Sequence, residues 1–374
     1  MEALVKPEFW RGRRVLLTGH TGFKGAWLSL WLQRMGAQVF GFALQPVSSP
    51  NLFELANVAE GMEHRIGDIR DAKAVQAAVA EAKPEIVFHM AAQSLVRQSY
   101  ADPLGTFSTN VIGTAHVLDA CRDIASLRAV VVVTSDKCYA NTGPARGYQE
   151  ADPLGGDDPY SASKGAAELV AHSYRTSFFA SEGAPRVATA RAGNVIGGGD
   201  WSADRLLSDF FQAAARRQPL RIRQPQAIRP WQFVLEPLRG YLMLAERLVG
   251  EGDAAQAWNF GPKAEDTRSV EWVIDQLRAL WLEPVDVQID RGSHLKESAV
   301  LKLDCSKAET ELGWHPSIGL QQALERTADW YREVASDPST ARGYTLEQIE
   351  SYVAGASPVP SPQALAPKIA RSGR

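Results

Sequence analysis

Tyr160 and Lys164 stand four residues apart behind Pro159, at the start of a helically periodic stretch. Residues at i and i+4 share a helix face. The Lys164 ammonium can therefore sit beside the Tyr160 phenol, favour the phenolate and lower its pKa from about 10. A phenolate near neutral pH is a usable base for an alcohol proton. A second run, Thr134-Ser135-Asp136-Lys137-Cys138-Tyr139, sets a hydroxyl, a carboxyl and an amine in consecutive positions, which is a kit for moving protons. Cys138 reads as packing rather than as a nucleophile. A third, Thr18-Gly19-His20-Thr21-Gly22-Phe23-Lys24-Gly25, has glycines every third residue. Such a loop turns tightly and lets a pyrophosphate approach the backbone and the unpaired N–H groups of a following helix. A fourth, Arg191-Ala192-Gly193-Asn194-Val195-Ile196-Gly197-Gly198-Gly199-Asp200-Trp201, places an amide at Asn194, while Arg205 and Arg229 offer guanidinium forks to a diphosphate. Each motif alone has an ordinary reading: a Gly-rich turn, an exposed Tyr/Lys pair, a polar turn with an ion pair, solvated arginines. Their placement along one pattern of elements favours chemistry.

That pattern alternates strand and helix from 13 to 193. Apolar runs at 13–19, 38–44, 85–92, 129–135 and 186–192 predict strands, with another ending at 66–69. Periodic stretches at 24–35, 71–82, 105–122 and 160–179 predict helices. The β-branched run at 129–133 suits a central parallel strand buried on both faces. Alternation of this kind predicts right-handed βαβ units and an α/β fold with a Rossmann-type doubly wound parallel sheet. The glycine loop then follows the first strand, and the run from Thr134 to Tyr139 lies at the carboxyl end of the central strand, where open α/β sheets bind ligands. After Gly193 the rhythm breaks. Pro219, Pro225, Pro230 and Pro237 punctuate the chain, and helices are expected at 205–216, 236–249, 270–281 and 321–334. The expected organisation is a dinucleotide-binding domain at 1–193, to which 232–255 returns, a smaller mixed C-terminal substrate-binding lobe at 194–350, and a Pro/Ser/Ala-rich mobile tail at 355–374.

A carboxylate that would hold a ribose 2′-hydroxyl is expected about 20 residues past the glycine loop, but Leu44-Gln45-Pro46 stands there. This position therefore does not choose between NAD and NADP. Asp68-Ile69 is a candidate adenine contact, with Asp68 equally suited to cap a helix. The chain has 374 residues, 45% hydrophobic, with 40 basic against 43 acidic side chains and a net charge of −3, so there is no chain-wide basic field for nucleic acid. No apolar run is long enough to span a membrane, and the first residues do not read as a secretory signal. Three scattered cysteines suit a reducing cytoplasm. The seven histidines show no metal-ligand spacing, so no metal site is expected.

Over residues 7–335 these motifs resemble the extended short-chain dehydrogenase/reductases, in particular the CDP-glucose 4,6-dehydratases. The resemblance also rests on His89-Met90-Ala91-Ala92-Gln93, Arg229-Pro230-Trp231-Gln232 and Leu301-Lys302-Leu303-Asp304-Cys305-Ser306-Lys307, and loosely on 293–297. The Asp136-Lys137 pair is the telling feature, since related dTDP-glucose dehydratases carry Asp-Glu there and GDP-mannose dehydratases a Glu-containing variant. Phe233 departs from the family, where His is expected. The resemblance implies NAD, held by Thr18, Gly19, Thr21, Gly22, Phe23, Lys24, Gly25, Asp68, Ile69, Ala91, Ala92, Gln93, Tyr160 and Lys164. It implies a nucleotide-linked glucose held by Asn194, Arg205 and Arg229. The implied cycle is transient oxidation at C4 with Tyr160 as base and Ser135 on the C4 oxygen, loss of water across C5 and C6 with Lys137 as base and Asp136 as acid, and return of the hydride to C6. A closed pocket would disfavour both charges and so ready Asp136 and Lys137 for these roles. A homodimer or homotetramer is implied, with the helices at 105–122 and 160–179 pairing across a two-fold axis. An epimerase, or a dehydratase of another nucleotide sugar, would share the fold and the Tyr/Lys pair. A non-catalytic nucleotide sensor would share only the fold.

Overall fold

The computed structural model describes residues 5–141, 146–250, 254–292 and 301–355. The expected tail, beyond Gly355, and the 293–297 motif lie outside them.

Seven parallel strands form one sheet: β1 (Arg14–Thr18), β2 (Gln38–Ala43), β3 (Glu63–Ile66), β4 (Ile86–His89), β5 (Ala129–Val133), β6 (Arg186–Arg191) and, past four short strands, Ala257–Asn259. The short strands are β7 (Val195–Ile196), β8 (Leu220–Ile222), β9 (Ile228–Pro230) and β10 (Gln232–Phe233), so Ala257–Asn259 is β11, followed by β12 (Thr267–Ser269) and β13 (Val287–Ile289). The spatial order is β11-β6-β5-β4-β1-β2-β3, with every neighbour parallel. The chain winds outward from β1 to β3, then crosses back to β4 and winds the other way. The reversal between β1 and β4 opens a crevice at their carboxyl ends, the place where doubly wound sheets take ligands. β4 and β5 are buried at every position, as central strands covered on both faces must be.

The helix Phe23–Arg34 starts at the glycine loop and is buried from Gly25 to Leu32, because Trp27 and Trp31 fill the space between the sheet and the later helices. Trp27 donates to the Gly198 carbonyl (2.9 Å), and Trp31 meets Tyr352 edge-on. The helix expected at 105–122 begins instead at Pro103, runs through a wider π-helical turn at Ser108–Ile112, and ends at Ala120. After β6 the pairs β7/β10, β9/β12 and β8/β13 hang the smaller lobe over the crevice. The helix Leu235–Gly250 packs back on β5 and β6, and β11 pairs with β6. No described helix is long and apolar enough to cross a membrane.

Candidate active site

The glycine loop is shaped by close approaches. Gly19 has φ +81°, and a Cβ there would lie 2.7 Å from the Ala91 nitrogen, while a Cβ at Gly25 would lie 2.1 Å from the Gly19 oxygen. Gly22 caps the helix Phe23–Arg34 without any side-chain hydrogen bond. The first N–H groups of a helix, left uncapped beside a loop with no room for side chains, are what a pyrophosphate requires. The residues therefore fit a dinucleotide. Thr18 and Thr21 act within the loop. The Thr18 hydroxyl accepts from the Met90 and Ala91 amides (3.1 and 3.2 Å) and meets His89 Nδ1 (2.8 Å), and Thr21 donates to the Leu44 carbonyl (2.8 Å). Gln93 is occupied by its own loop, bonding Thr106, Leu95 and, through its backbone, Asn110. Asp68 is not the helix cap: Asp71 accepts from Lys73 and Ala74 in that role, and Asp68 pairs with Arg70 (2.6 Å), whose hydrogen bond holds its carboxyl below the ordinary value. Ile69 is buried, and its carbonyl meets His116 Nδ1 (2.9 Å).

A cavity of about 520 Å³ opens over the crevice. Thr134, Ser135, Asp136, Lys137, Tyr160, Lys164, Asn194, Arg205 and Arg229 all line it, together with Lys24 and Ala92. The three motifs and the arginines, scattered over nearly a hundred residues, thus meet in one space. The helix Pro159–Ser177 presents Tyr160 and Lys164 from its first turns. Asp158 caps it, accepting from the Ser161 amide (2.9 Å) and hydroxyl (2.6 Å), and Pro159 fixes the first helical position. Asp136 is buried. Ser135 donates to one of its oxygens (3.0 Å) and Asn194 to the other (3.4 Å). Gly193 makes this approach possible, since a Cβ there would fall 2.0 Å from the Asp136 carboxyl carbon. Lys137 is half-buried on the same short 3-10 turn, Asp136–Cys138. Cys138 is fully buried, and burial pushes its thiol well up, consistent with packing. Arg205 forms an ion pair with Asp200 (2.8 Å) and reaches Ser94 (3.0 Å).

One expectation is corrected. Lys164 does not draw the Tyr160 phenol down. Burial pushes that phenol up to about 12, opposed by its hydrogen bond with Ser135 and by Arg205, and reinforced by Asp136. Lys164 itself is lowered to about 8 by burial, with Glu168 holding it up, and its amine donates to the Val133 carbonyl (3.3 Å). Helix spacing puts the pair on one face, but desolvation by burial is the largest influence on each of them. Phe233 does not face the cavity: it is fully buried against Trp27 and Tyr352, so the residue there is core packing.

Lys24, expected on the cofactor, lines the cavity, and burial together with the charges of Lys164 and Arg205 lowers it to about 7. The sequence reading missed other residues. Asp204, whose carboxylate holds both Arg97 (3.1 Å) and Arg223 (3.0 Å), lies at the cavity wall. Glu168 and Arg191 form a fully buried ion pair behind it (2.8 Å). For Glu168 a signal existed: a carboxylate one helical turn beyond Lys164 falls on the same buried face.

The chain matches the GDP-mannose 4,6-dehydratase family over residues 16–327. It is 50% identical over 334 residues to the CDP-glucose 4,6-dehydratase of Salmonella typhimurium, covering 88% of this chain and 93% of that one. It is 27% identical over 339 residues to a dTDP-glucose 4,6-dehydratase of Xanthomonas campestris, covering 84% and 92%. Among solved structures, a dTDP-glucose 4,6-dehydratase of Streptomyces venezuelae with NAD bound superposes with a TM-score of 0.73 at 25% identity, covering 86% and 98%. An epimerase of Methanothermobacter thermautotrophicus superposes with a TM-score of 0.77 at 23% identity, covering 90% and 97%. A doubly wound sheet with this glycine loop, this Tyr/Lys helix and a family match across most of the chain has one reading: the chain belongs to the GDP-mannose 4,6-dehydratase family, within the extended short-chain dehydrogenase/reductases.

Proposed function

We infer that the chain dehydrates CDP-D-glucose to CDP-4-keto-6-deoxy-D-glucose with tightly held NAD. One observation carries this: Tyr160, Ser135, Asp136 and Lys137 line a single cavity beside Arg205 and Arg229, in a chain half identical to a CDP-glucose 4,6-dehydratase over nearly its full length. Thr18 to Gly25 and the helix N-terminus behind them would hold the pyrophosphate, with Asp68, Ile69, Ala91, Ala92, Gln93, Tyr160 and Lys164 along the rest of the dinucleotide. Bound there, NAD supplies a reversible acceptor for the hydrogen at sugar C4.

The chain's own groups move the protons. Tyr160 takes the proton of the C4 hydroxyl, and Ser135, already bonded to that phenol, steadies the C4 oxygen. The resulting ketone acidifies the C5–H bond. Lys137 removes that proton, the C5–C6 double bond forms, and the C6 hydroxyl leaves as water with a proton from Asp136. Reduction at C6 and reprotonation at C5 complete the product, so the overall change is loss of one water. Arg205, Arg229 and Asn194 hold the diphosphate and sugar from the lobe at 194–350, and the domain at 1–193 with 232–255 holds the dinucleotide. We place the enzyme in the cytoplasm and assign it a two-fold assembly through the helices around 103–120 and 159–177, whose outward Leu104, Ile112, Leu169 and Phe178 are all exposed.

The test is incubation of the purified protein with CDP-, dTDP-, UDP- and GDP-hexoses, followed by mass analysis. Loss of water from CDP-glucose, with the alkali-induced absorbance of a 4-keto-6-deoxy sugar, is expected. An epimerised hexose of unchanged mass, or wild-type dehydration by Asp136→Asn and Lys137→Ala variants, would refute the assignment.

A further inference from the structure

Behind the cavity wall, Glu168 and Arg191 form a network that the chemistry above does not use. Glu168 sits one turn past Lys164 on the helix Pro159–Ser177 and is buried. One carboxylate oxygen accepts from the Thr134 hydroxyl. The other accepts from the Thr189 hydroxyl (2.7 Å) and from Arg191 (2.8 Å). Arg191 donates onward to the Tyr139 hydroxyl (2.8 Å) and the Glu150 carbonyl (3.1 Å), and its guanidinium lies 4.8 Å from the centre of the Tyr139 ring. Tyr139 in turn donates to Asn259 on β11 (2.7 Å).

The partners are placed with respect to the cavity in a specific way. Thr134 immediately precedes Ser135-Asp136-Lys137, and Tyr139 follows that run after Cys138, so the network grips both ends of the acid–base turn. Arg191 ends β6 and leads through Ala192 into Gly193 and Asn194, which contact Asp136 from the other side. Glu168 lies on the helix that carries Tyr160 and Lys164. Three elements that contribute chemistry thus converge on one ion pair. A buried ion pair is not needed for stability alone, since apolar residues of similar volume commonly serve as well or better.

We propose that Glu168 and Arg191 are positioning residues, which lock the Ser135-Asp136-Lys137 turn against the Tyr160 helix and sustain the charge on Lys164. This rests on the dehydratase reading for the residues it positions. The groups around Lys164 are Tyr160 and Glu168 on its own helix, Cys138 and the Val133 carbonyl from the β5 end, His89 from β4 and Lys24 from the helix Phe23–Arg34. Glu168, one helical turn beyond Lys164 on the same buried face, is the main negative charge acting on it: it opposes the burial that brings the lysine down to about 8. Arg191, Thr134 and Thr189 hold the Glu168 carboxyl below its ordinary value against its own burial, so it stays charged.

The test uses Glu168→Gln in the full-length protein, with carbon-13 at the lysine ε position; the Lys164 signal is the one that Lys164→Arg removes. In the variant the Lys164 titration midpoint should fall by about one pH unit. With CDP-glucose, kcat should fall by about tenfold or more, KM should stay within about twofold because no group touching the substrate is altered, and the alkaline limb of the kcat profile should move to lower pH. A purely structural role would lower stability and leave the midpoint and limb in place, and that result overturns the proposal. Should Glu168→Gln not fold, the Glu168→Met/Arg191→Met pair removes both charges at similar volume. A folded, slow double variant with the midpoint still lowered supports the proposal; wild-type kcat and midpoint refute it. If the unmodified protein turns over no nucleotide sugar, the dehydratase reading falls, while the lysine titration still decides the coupling on its own.

Discussion

At the scale of single residues, the site depends on how near Asp136 lies to backbone that has no side chain. In Gly193→Ala the new methyl would overlap the Asp136 carboxylate, which must then rotate away from Ser135 and Asn194. A displacement of about 1 Å in a reacting group costs about a hundredfold in rate. Gly193→Ala should therefore lower kcat by about that factor while the denaturation midpoint moves little, because the cavity beside Asp136 can take up the displaced group. Steady-state kinetics and urea unfolding check the two halves. Lys24 gives a second prediction, with a pH sign. Its folded pKa of about 7 lies below the ordinary 10.5, so between about pH 7 and 10.5 the unfolded chain binds more protons and stability rises with pH. Below that window the buried charge carries its full cost. Lys24→Met should stabilise the protein at pH 6 to 7 by on the order of 2 kcal/mol, with the gain vanishing by about pH 10.5; thermal unfolding across that range measures it. Tyr160 and Lys164 show where residue-level reading stops. Spacing put them on one face, and that face is the cavity wall, but the direction in which each titrates is decided by desolvation, which no spacing records.

Elements carry the residues to their places, and the helix Pro159–Ser177 does so through its cap. Asp158 satisfies the Ser161 amide and hydroxyl at the turn that bears Tyr160. Asp158→Ala should cost about 1 kcal/mol of stability and lower kcat by more than that loss implies, because fraying there moves the phenol. Asp158→Asn, which retains a capping oxygen, should keep most of both. Parallel urea titrations and rate measurements separate the effects. This helix was legible because a proline and a long period stand in sequence, and β5 was legible because a run of valines admits few alternatives. The two- and three-residue strands β7 to β10, β12 and β13 were not. A period of two cannot be established over two residues, and these strands exist because the lobe folds over the crevice. β11 escaped for the same reason, although it completes the main sheet. The π-helical turn at Ser108–Ile112 also has no composition of its own. Within it, Asn110 donates to Gln93 and Ser163, so a tertiary bond that the sequence does not display accompanies the widened turn. The helix Ala341–Val353 went unread beside the Pro-rich run that follows it, though it packs on the helix Phe23–Arg34.

At the scale of the whole molecule, the helix Pro159–Ser177 has two faces with different work. Tyr160, Ser163, Lys164, Ala167, Glu168 and Ala171 are buried toward the sheet and the cavity. Leu169 is 59% exposed on the other side, and the neighbouring segment exposes Leu104 (82%) and Ile112 (50%). Large apolar side chains gathered on adjacent helices suit an association surface, and the two-fold assembly proposed above would pair these same two helices from each copy. Leu282, 84% exposed after the helix Val270–Leu280, lies in the other lobe and serves as the control. Leu169→Lys and Ile112→Lys should each shift the sedimenting species from dimer toward monomer at micromolar concentration, and Leu282→Lys should leave it unchanged. Because the pairing would brace the back of the helix that carries Tyr160 and Lys164, the dissociated variants should also lose activity on dilution, and regain part of it as protein concentration rises. Sedimentation equal to wild type in both helix variants, or a shift produced equally by the Leu282 control, would place the contact elsewhere and leave the helix braced by its own chain alone.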